Sequence, residues 1–151
     1  MDQLFGLETE YGLAAPEEQG INPGSTGAVT TESAVWDLVD AVRQMVPCLP
    51  DMGAGGVFLA NGSRVYVDGG HPELATPEVS SPWDVVRYTV AGHRVLERAL
   101  AQSCGASCRS RPLLFTSNVD YVTRSSWGCH ESILYSARAS GLSDFLIPHL
   151  V

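Results

Sequence analysis

Residues 57–68 read Val57-Phe58-Leu59-Ala60-Asn61-Gly62-Ser63-Arg64-Val65-Tyr66-Val67-Asp68. Two apolar, strand-forming runs flank an Asn-Gly pair, a strong local signal for a β-hairpin, and the spacing predicts a tight type I′ turn. Alternation along the second run sets Arg64, Tyr66 and Asp68 on one face, with Asp68 at the strand's end. Gly69-Gly70-His71-Pro72-Glu73 then turns the chain, and residues 74–78 predict a further short extended piece.

Working outward toward the N-terminus, residues 51–56 (Asp-Met-Gly-Ala-Gly-Gly) read as a flexible connection. Before them, a helix is predicted over 32–46. Thr31 is its N-cap, Ala34, Val35, Leu38, Val42 and Met45 form its apolar stripe, and Pro47 and Pro50 stop it. Residues 12–28 are rich in Gly, Pro, Glu and Ala and read as a loop. Residues 4–11 alternate as a strand does, with Leu4, Gly6, Glu8 and Glu10 on one face.

Toward the C-terminus, a second helix is predicted over 82–102. Ser81 suits its cap, Pro82 its first position and Asp84 its first turn. Val85, Leu96, Ala99 and Leu100 make its buried face, and Gly92 allows close packing. A loop (103–112), a strand (113–118), a polar turn region (120–128) and a strand (129–138) follow, the last with Glu131, Ile133 and Tyr135 on one face. Ser143 caps a short final helix. The expected class is α+β: a mainly antiparallel sheet with helices on one side.

The chain has 151 residues, enough for one domain with a sizeable core. Hydrophobic residues make up 44% and charged residues 17%, which excludes a disordered acidic tail. No apolar run is long enough to span a bilayer, so no membrane partner is expected. Net charge is −8 and all nine cations are Arg, a poor balance for a nucleic-acid binder. Of the four cysteines (48, 104, 108, 129), only Cys104 and Cys108 are close, without the second knuckle of a zinc site. With no secretory signal, the expectation is reduced thiols in the cytoplasm. The chain stops at Leu150-Val151 without a polar tail, which suggests a fragment of something larger.

Chemistry gathers in three places. Glu8 and Glu10 point the same way, about 6.6 Å apart along a strand. Such a pair repels itself unless a cation lies beside it, and Mg²⁺ prefers hard oxygen ligands. Glu-x-Glu also occurs on plain solvated strand faces, so the pair alone decides little. Asp68 closes a strand; His71, Glu73 and Glu78 follow it, and Gly69-Gly70 admit a ligand to the backbone. Asn118, Asp120, His130 and Glu131 form the third group, with His130 most simply a hydrogen-bonded sheet residue. His93 reads as structural, and Trp36, Trp83 and Trp127 as core or interface aromatics. No nucleophile elbow and no phosphate loop is present. Carboxylates on separate strands without such a loop suggest a sheet surface holding Mg²⁺ and a nucleotide, with phosphoryl transfer by positioning and electrostatics.

At these residues the sequence resembles the Pup–protein ligase and Pup deamidase/depupylase family, related to glutamine synthetase. Three blocks carry the resemblance: Gly6-Leu7-Glu8-Thr9-Glu10-Tyr11-Gly12; Asn61 to Asp68 running into His71-Pro72-Glu73-Leu74-Ala75-Thr76-Pro77-Glu78; and Ser117-Asn118-Val119-Asp120 with Trp127-Gly128-Cys129-His130-Glu131. The resemblance implies a glutamine-synthetase-like fold whose curved antiparallel sheet cradles ATP (or ADP plus phosphate) and Mg²⁺. It implies Glu8, Glu10 and Glu131 as metal carboxylates and Asp68 as the catalytic aspartate. Arg64, His71 and Glu73 match positions at the nucleotide and metals. Pup and pupylated proteins are the implied partners.

In the ligase reaction, ATP phosphorylates the side-chain carboxylate of Pup's C-terminal Glu, and a target lysine displaces phosphate. Deamidases convert a C-terminal Gln of Pup to Glu, or cut the isopeptide. The Asp68–Glu73 spacing and the run from Tyr11 to Pro23 are deamidase-like, whereas the short stretch before the hairpin is ligase-like. Ser117 and Ser132 stand where the family usually has Asn. The expectation leans to the deamidase branch. The ligase, an inactive nucleotide- or Pup-binding remnant, and a metal-dependent amidohydrolase built on His71 and His130 stay open.

Overall fold

The computed structural model describes residues 3–14, 31–53, 55–103, 112–116, 119, 124, 126–134, 141 and 144. Ten elements follow in order: β1 (Phe5–Glu10), β2 (Gly12–Ala14), α1 (Thr31–Met45), β3 (Cys48–Pro50), β4 (Val57–Leu59), β5 (Arg64–Asp68), β6 (His71–Ala75), α2 (Pro82–Ser103), β7 (Leu113–Phe115) and β8 (Cys129–Ile133). Six strands form one sheet in the order β3-β4-β5-β6-β1-β8, and β2 pairs with β7 in a small second sheet. Every strand pairing among the described residues is antiparallel, as expected for the α+β fold.

Two turns set the register of the site strands. In the β4–β5 hairpin only Gly62 has positive φ, at +89°; Asn61 does not. A type I′ turn needs both, so the expected turn is corrected to a three-residue loop. It is closed by Leu59 N–H to Ser63 O at 2.7 Å and Gly62 N–H to Leu59 O at 2.9 Å. The Asn61 side chain accepts the Ser63 N–H at 2.9 Å and thereby keeps Asn61 out of the left-handed region. The two-residue turn sits instead at Gly69-Gly70, with φ of +55° and +89°, joining Asp68 directly to its cross-strand partner His71.

One face of the sheet is buried under the helices. Val57, Val65 and Leu74 on the strands meet Ala34, Val35, Leu38, Val39 and Val42 of α1 and Leu96, Ala99 and Leu100 of α2. Gly92 is a requirement of this contact: a Cβ there would lie 2.2 Å from Leu74 Cδ2. Both helices fall where the apolar periodicity places them, and the carbonyl of Ser81 accepts the first N–H groups of α2. Two short strands were not anticipated. β2 lies in the expected loop, and β3 follows Pro47, where only a helix stop was read. Of the two places expected for Trp83 and Trp36, the core is corrected: they are 75% and 41% exposed on the outer faces of the helices. Cys104, Cys108, Tyr135 and Ser143 lie outside the described residues.

A carboxylate centre on the open sheet face

Antiparallel partners point to the same face, so the register alone sorts the site residues. Glu10 pairs with Glu73 and Glu8 with Ala75. Glu73 pairs with Tyr66, and Asp68 with His71. His130 pairs with Glu8. Hence Glu8, Glu10, Arg64, Tyr66, Asp68, His71, Glu73 and His130 all project from the face opposite the helices. The alternation that buries Leu74 and Val65 on one side delivers these polar groups to the other.

Within this face the acids converge in two overlapping groups. Ligand atoms of Glu10, Asp68 and Glu73 lie within 4.8 Å of one another, and so do those of Glu8, Glu73 and His130. Glu73 belongs to both and is almost fully buried, 2% exposed. Burial pushes its carboxyl above the usual range, and the charges of Glu8, Glu10 and Asp68 push the same way against a hydrogen bond from Tyr66. Tyr66, 7% exposed, donates to Glu8 Oε1 at 3.3 Å and bonds Glu73. Burial, then these acids, hold its phenol well above the ordinary value.

The remaining contacts fix orientation. Gly128 N–H donates to Glu10 Oε2 at 2.7 Å, while Glu10 N–H donates back to Gly128 O at 3.0 Å. One carboxylate oxygen of Glu10 is thereby aimed by backbone. His130 Nδ1 stands 3.4 Å from Glu8 Oε2. His71, the cross-strand partner of Asp68, packs its ring 5.4 Å from Trp127, which in turn meets Phe115 edge-on at 5.8 Å. Trp127 Nε1 is buried there without a hydrogen-bond partner among the described residues.

The sequence reading therefore meets the geometry unevenly. Glu8, Glu10, Asp68 and Glu73 are brought together, with His71 beside Asp68. Glu131 is not with them. It pairs with Leu7, on the helix side of the sheet, and a one-residue step of the strand puts His130 in its place. Arg64 shares the face, but two of its N–H groups are committed to Asp51. Glu78 is exposed beyond the end of β6. Asn118 and Asp120 lie outside the described residues. Tyr66 was read only as a strand residue; its two-residue offset from Asp68 already put it on the same face.

A sheet whose one face packs two helices and whose other face gathers acids from three adjacent strands defines the class: an antiparallel-sheet protein with a polycarboxylate centre. The sequence model of the family described as Pup-ligase protein matches residues 3–151, and the chain belongs to that family. A Pup deamidase/depupylase of Mycobacterium tuberculosis is 32% identical, the match covering 100% of this chain and 36% of the relative. A Pup–protein ligase of Xylanimonas cellulosilytica is 34% identical over 99% of this chain and 31% of the relative. The chain thus spans about a third of the length of these relatives. Among solved structures, the crystal structure of the complex between the prokaryotic ubiquitin-like protein Pup and its ligase PafA superposes with a TM-score of 0.72 at 26% identity. That match covers 99% of this chain and 29% of the other.

Proposed function

We propose that this chain forms the N-terminal part of a Pup-processing catalytic centre, of the deamidase/depupylase kind, using ATP (or ADP plus phosphate) and Mg²⁺. The observation that carries the reading is the convergence of Glu8, Glu10, Asp68 and Glu73 on one sheet face. Three carboxylates packed around a buried Glu73 are electrostatically costly without a cation, and the hard oxygens of all four suit Mg²⁺. Glu8, Glu10 and Glu73 would hold it, with His130 at the rim; when bound, it supplies positive charge for the phosphates of a nucleotide.

Asp68 has a different task. It ends β5 on the exposed rim of the centre and is reachable by a substrate side chain. From there its carboxylate accepts a proton from water that attacks the side-chain amide of a C-terminal Gln, or attacks the amide carbon itself. The C–N bond then breaks, the nitrogen leaves as ammonia with a proton from water, and on the direct route water hydrolyses the mixed anhydride back to Asp68 and Glu. His71, the cross-strand partner of Asp68, and Trp127 stack beside this end. In the ligase reading the same Asp68 takes the proton of an incoming lysine amine. The 34% identity to a Pup–protein ligase keeps that second reading in play.

The test uses Pup ending in Gln or in Glu, with Mg·ATP. Ammonia release from Gln-ended Pup supports the deamidase, and lysine-dependent ATP turnover with Glu-ended Pup supports the ligase. Asp68→Asn should abolish either activity by about 10³-fold or more, as expected for a group that transfers the proton. Mg·ATP binding without turnover marks a remnant. Turnover of Gln-ended Pup without any nucleotide refutes the ATP-dependent reading.

A further inference from the structure

A second polar assembly stands behind the centre. Arg64 Nε and Nη2 both donate to Asp51 Oδ2, at 2.8 and 2.5 Å. The Arg64 Cζ lies 3.9 Å from the centroid of the Tyr66 ring and 5.6 Å from that of Phe58. The pair is largely shielded, the Asp51 side chain being 10% exposed. Asp51 is itself immobilised: its Oδ1 accepts the Gly53 N–H at 3.0 Å and its own N–H donates to Gly56 O at 2.9 Å. Gly56 runs so close to β5 that a Cβ there would sit 2.6 Å from Tyr66 Cβ. Asp51 and Gly56 are therefore strapped onto the back of Tyr66, and the Tyr66 hydroxyl faces Glu8 and Glu73.

We propose that Asp51 is a positioning residue of the carboxylate centre: by clamping Arg64 against the Tyr66 ring, it fixes where the Tyr66 hydroxyl meets Glu8 and Glu73, and so sets how tightly the centre takes a divalent cation. The inference rests on the cation reading of the centre. A planar guanidinium held through two N–H groups cannot slide along the ring, whereas a guanidinium without Asp51 can swing into solvent. Tyr66 then loses its backing, and the two carboxylates lose a shared donor. The effect of a partner behind a ligand is commonly 10- to 100-fold on metal affinity; one step further removed, roughly three- to tenfold is expected.

The experiment measures Mn²⁺ affinity of the 151-residue chain by electron paramagnetic resonance, in wild type, Asp51→Asn, Asp51→Glu and Arg64→Lys. Thermal midpoints are taken alongside. Ring resonances of ¹³C-labelled tyrosine, assigned with Tyr66→Phe, report the position of Tyr66 without any cation. Asp51→Asn and Arg64→Lys are expected to weaken Mn²⁺ and shift the Tyr66 signal, and Asp51→Glu to restore both. A lowered midpoint with unchanged affinity and unchanged Tyr66 signal means a loop anchor only, and overturns the proposal. Should Asp51→Asn not fold, Arg64→Lys decides by the same two readouts. Wild type that takes no Mn²⁺ defeats the cation reading instead; the Tyr66 signal then decides the clamp alone, its constancy in Asp51→Asn overturning it.

Discussion

Replacing Glu73 by Gln separates the cost of the centre from its use. Glu73 is buried with Glu8, Glu10 and Asp68 oxygens within 4.8 Å across its two groups. At roughly 5 Å and an effective dielectric of about 20, one pair of like unit charges repels by about 3 kcal/mol, and the partial exposure of Glu8 and Asp68 lowers this. Gln keeps the volume and can still accept from Tyr66. A net gain of about 1–3 kcal/mol is expected for the cation-free protein at neutral pH, or about 3–10 °C in melting temperature. The sign with pH follows from the raised carboxyl of Glu73. The folded chain binds that proton more tightly than the unfolded chain, whose carboxyl titrates near about 4.3. Wild-type stability therefore rises as pH falls through the raised value toward the ordinary one, relative to Glu73→Gln. With Mn²⁺ at a hundredfold excess over Kd, wild type gains about 2.7 kcal/mol and Glu73→Gln nearly none. Melts with chelator and with Mn²⁺, from neutral to mildly acidic pH, read all of this. A Glu73→Gln protein that melts below wild type in chelator at neutral pH refutes the reasoning.

Glu131→Gln is expected to leave Mn²⁺ affinity within about twofold, because the side chain lies on the helix side of β8; a larger loss in the same titration would show that the strand register is wrong. Gly128→Ala pushes a Cβ to 3.2 Å from His130 Nε2 and 3.7 Å from Glu10 Cδ; Mn²⁺ titration should show weaker binding with a melting temperature within a few degrees of wild type. Gly92→Ala gains about 1 kcal/mol of helix propensity but drives a methyl into Leu74, so a net loss of about 1–2 kcal/mol is expected from urea unfolding.

Much of this was legible before the structure because it depends on period. The two-residue repeat put Glu8 with Glu10 and Tyr66 with Asp68; the 3.6-residue repeat of Val35, Leu38 and Val42 and of Leu96, Ala99 and Leu100 fixed both helices. Neighbourhood across strands was not legible. Nothing local to Cys129–Ile133 says that Glu8 pairs with His130 rather than Glu131, since either register keeps a polar residue facing solvent. The Asp51 contact depends on a turn folding back thirteen residues before Arg64, for which Gly-rich composition predicts only freedom. The hairpin turn was misread because an Asx contact from Asn61 competed with the backbone conformation that Asn-Gly usually takes.

The placement of β1 between β6 and β8 bears on how such a chain comes off the ribosome. The first strand made is the last to gain both neighbours: its partner on one side begins at residue 71 and on the other at residue 129. A nascent chain of a hundred residues has the hairpins but leaves one flank of Glu8 and Glu10 open. The contacts that orient these two acids, His130 on Glu8 and the Gly128 N–H on Glu10, thus wait on the most distant pairing in the sheet, the slowest kind to close.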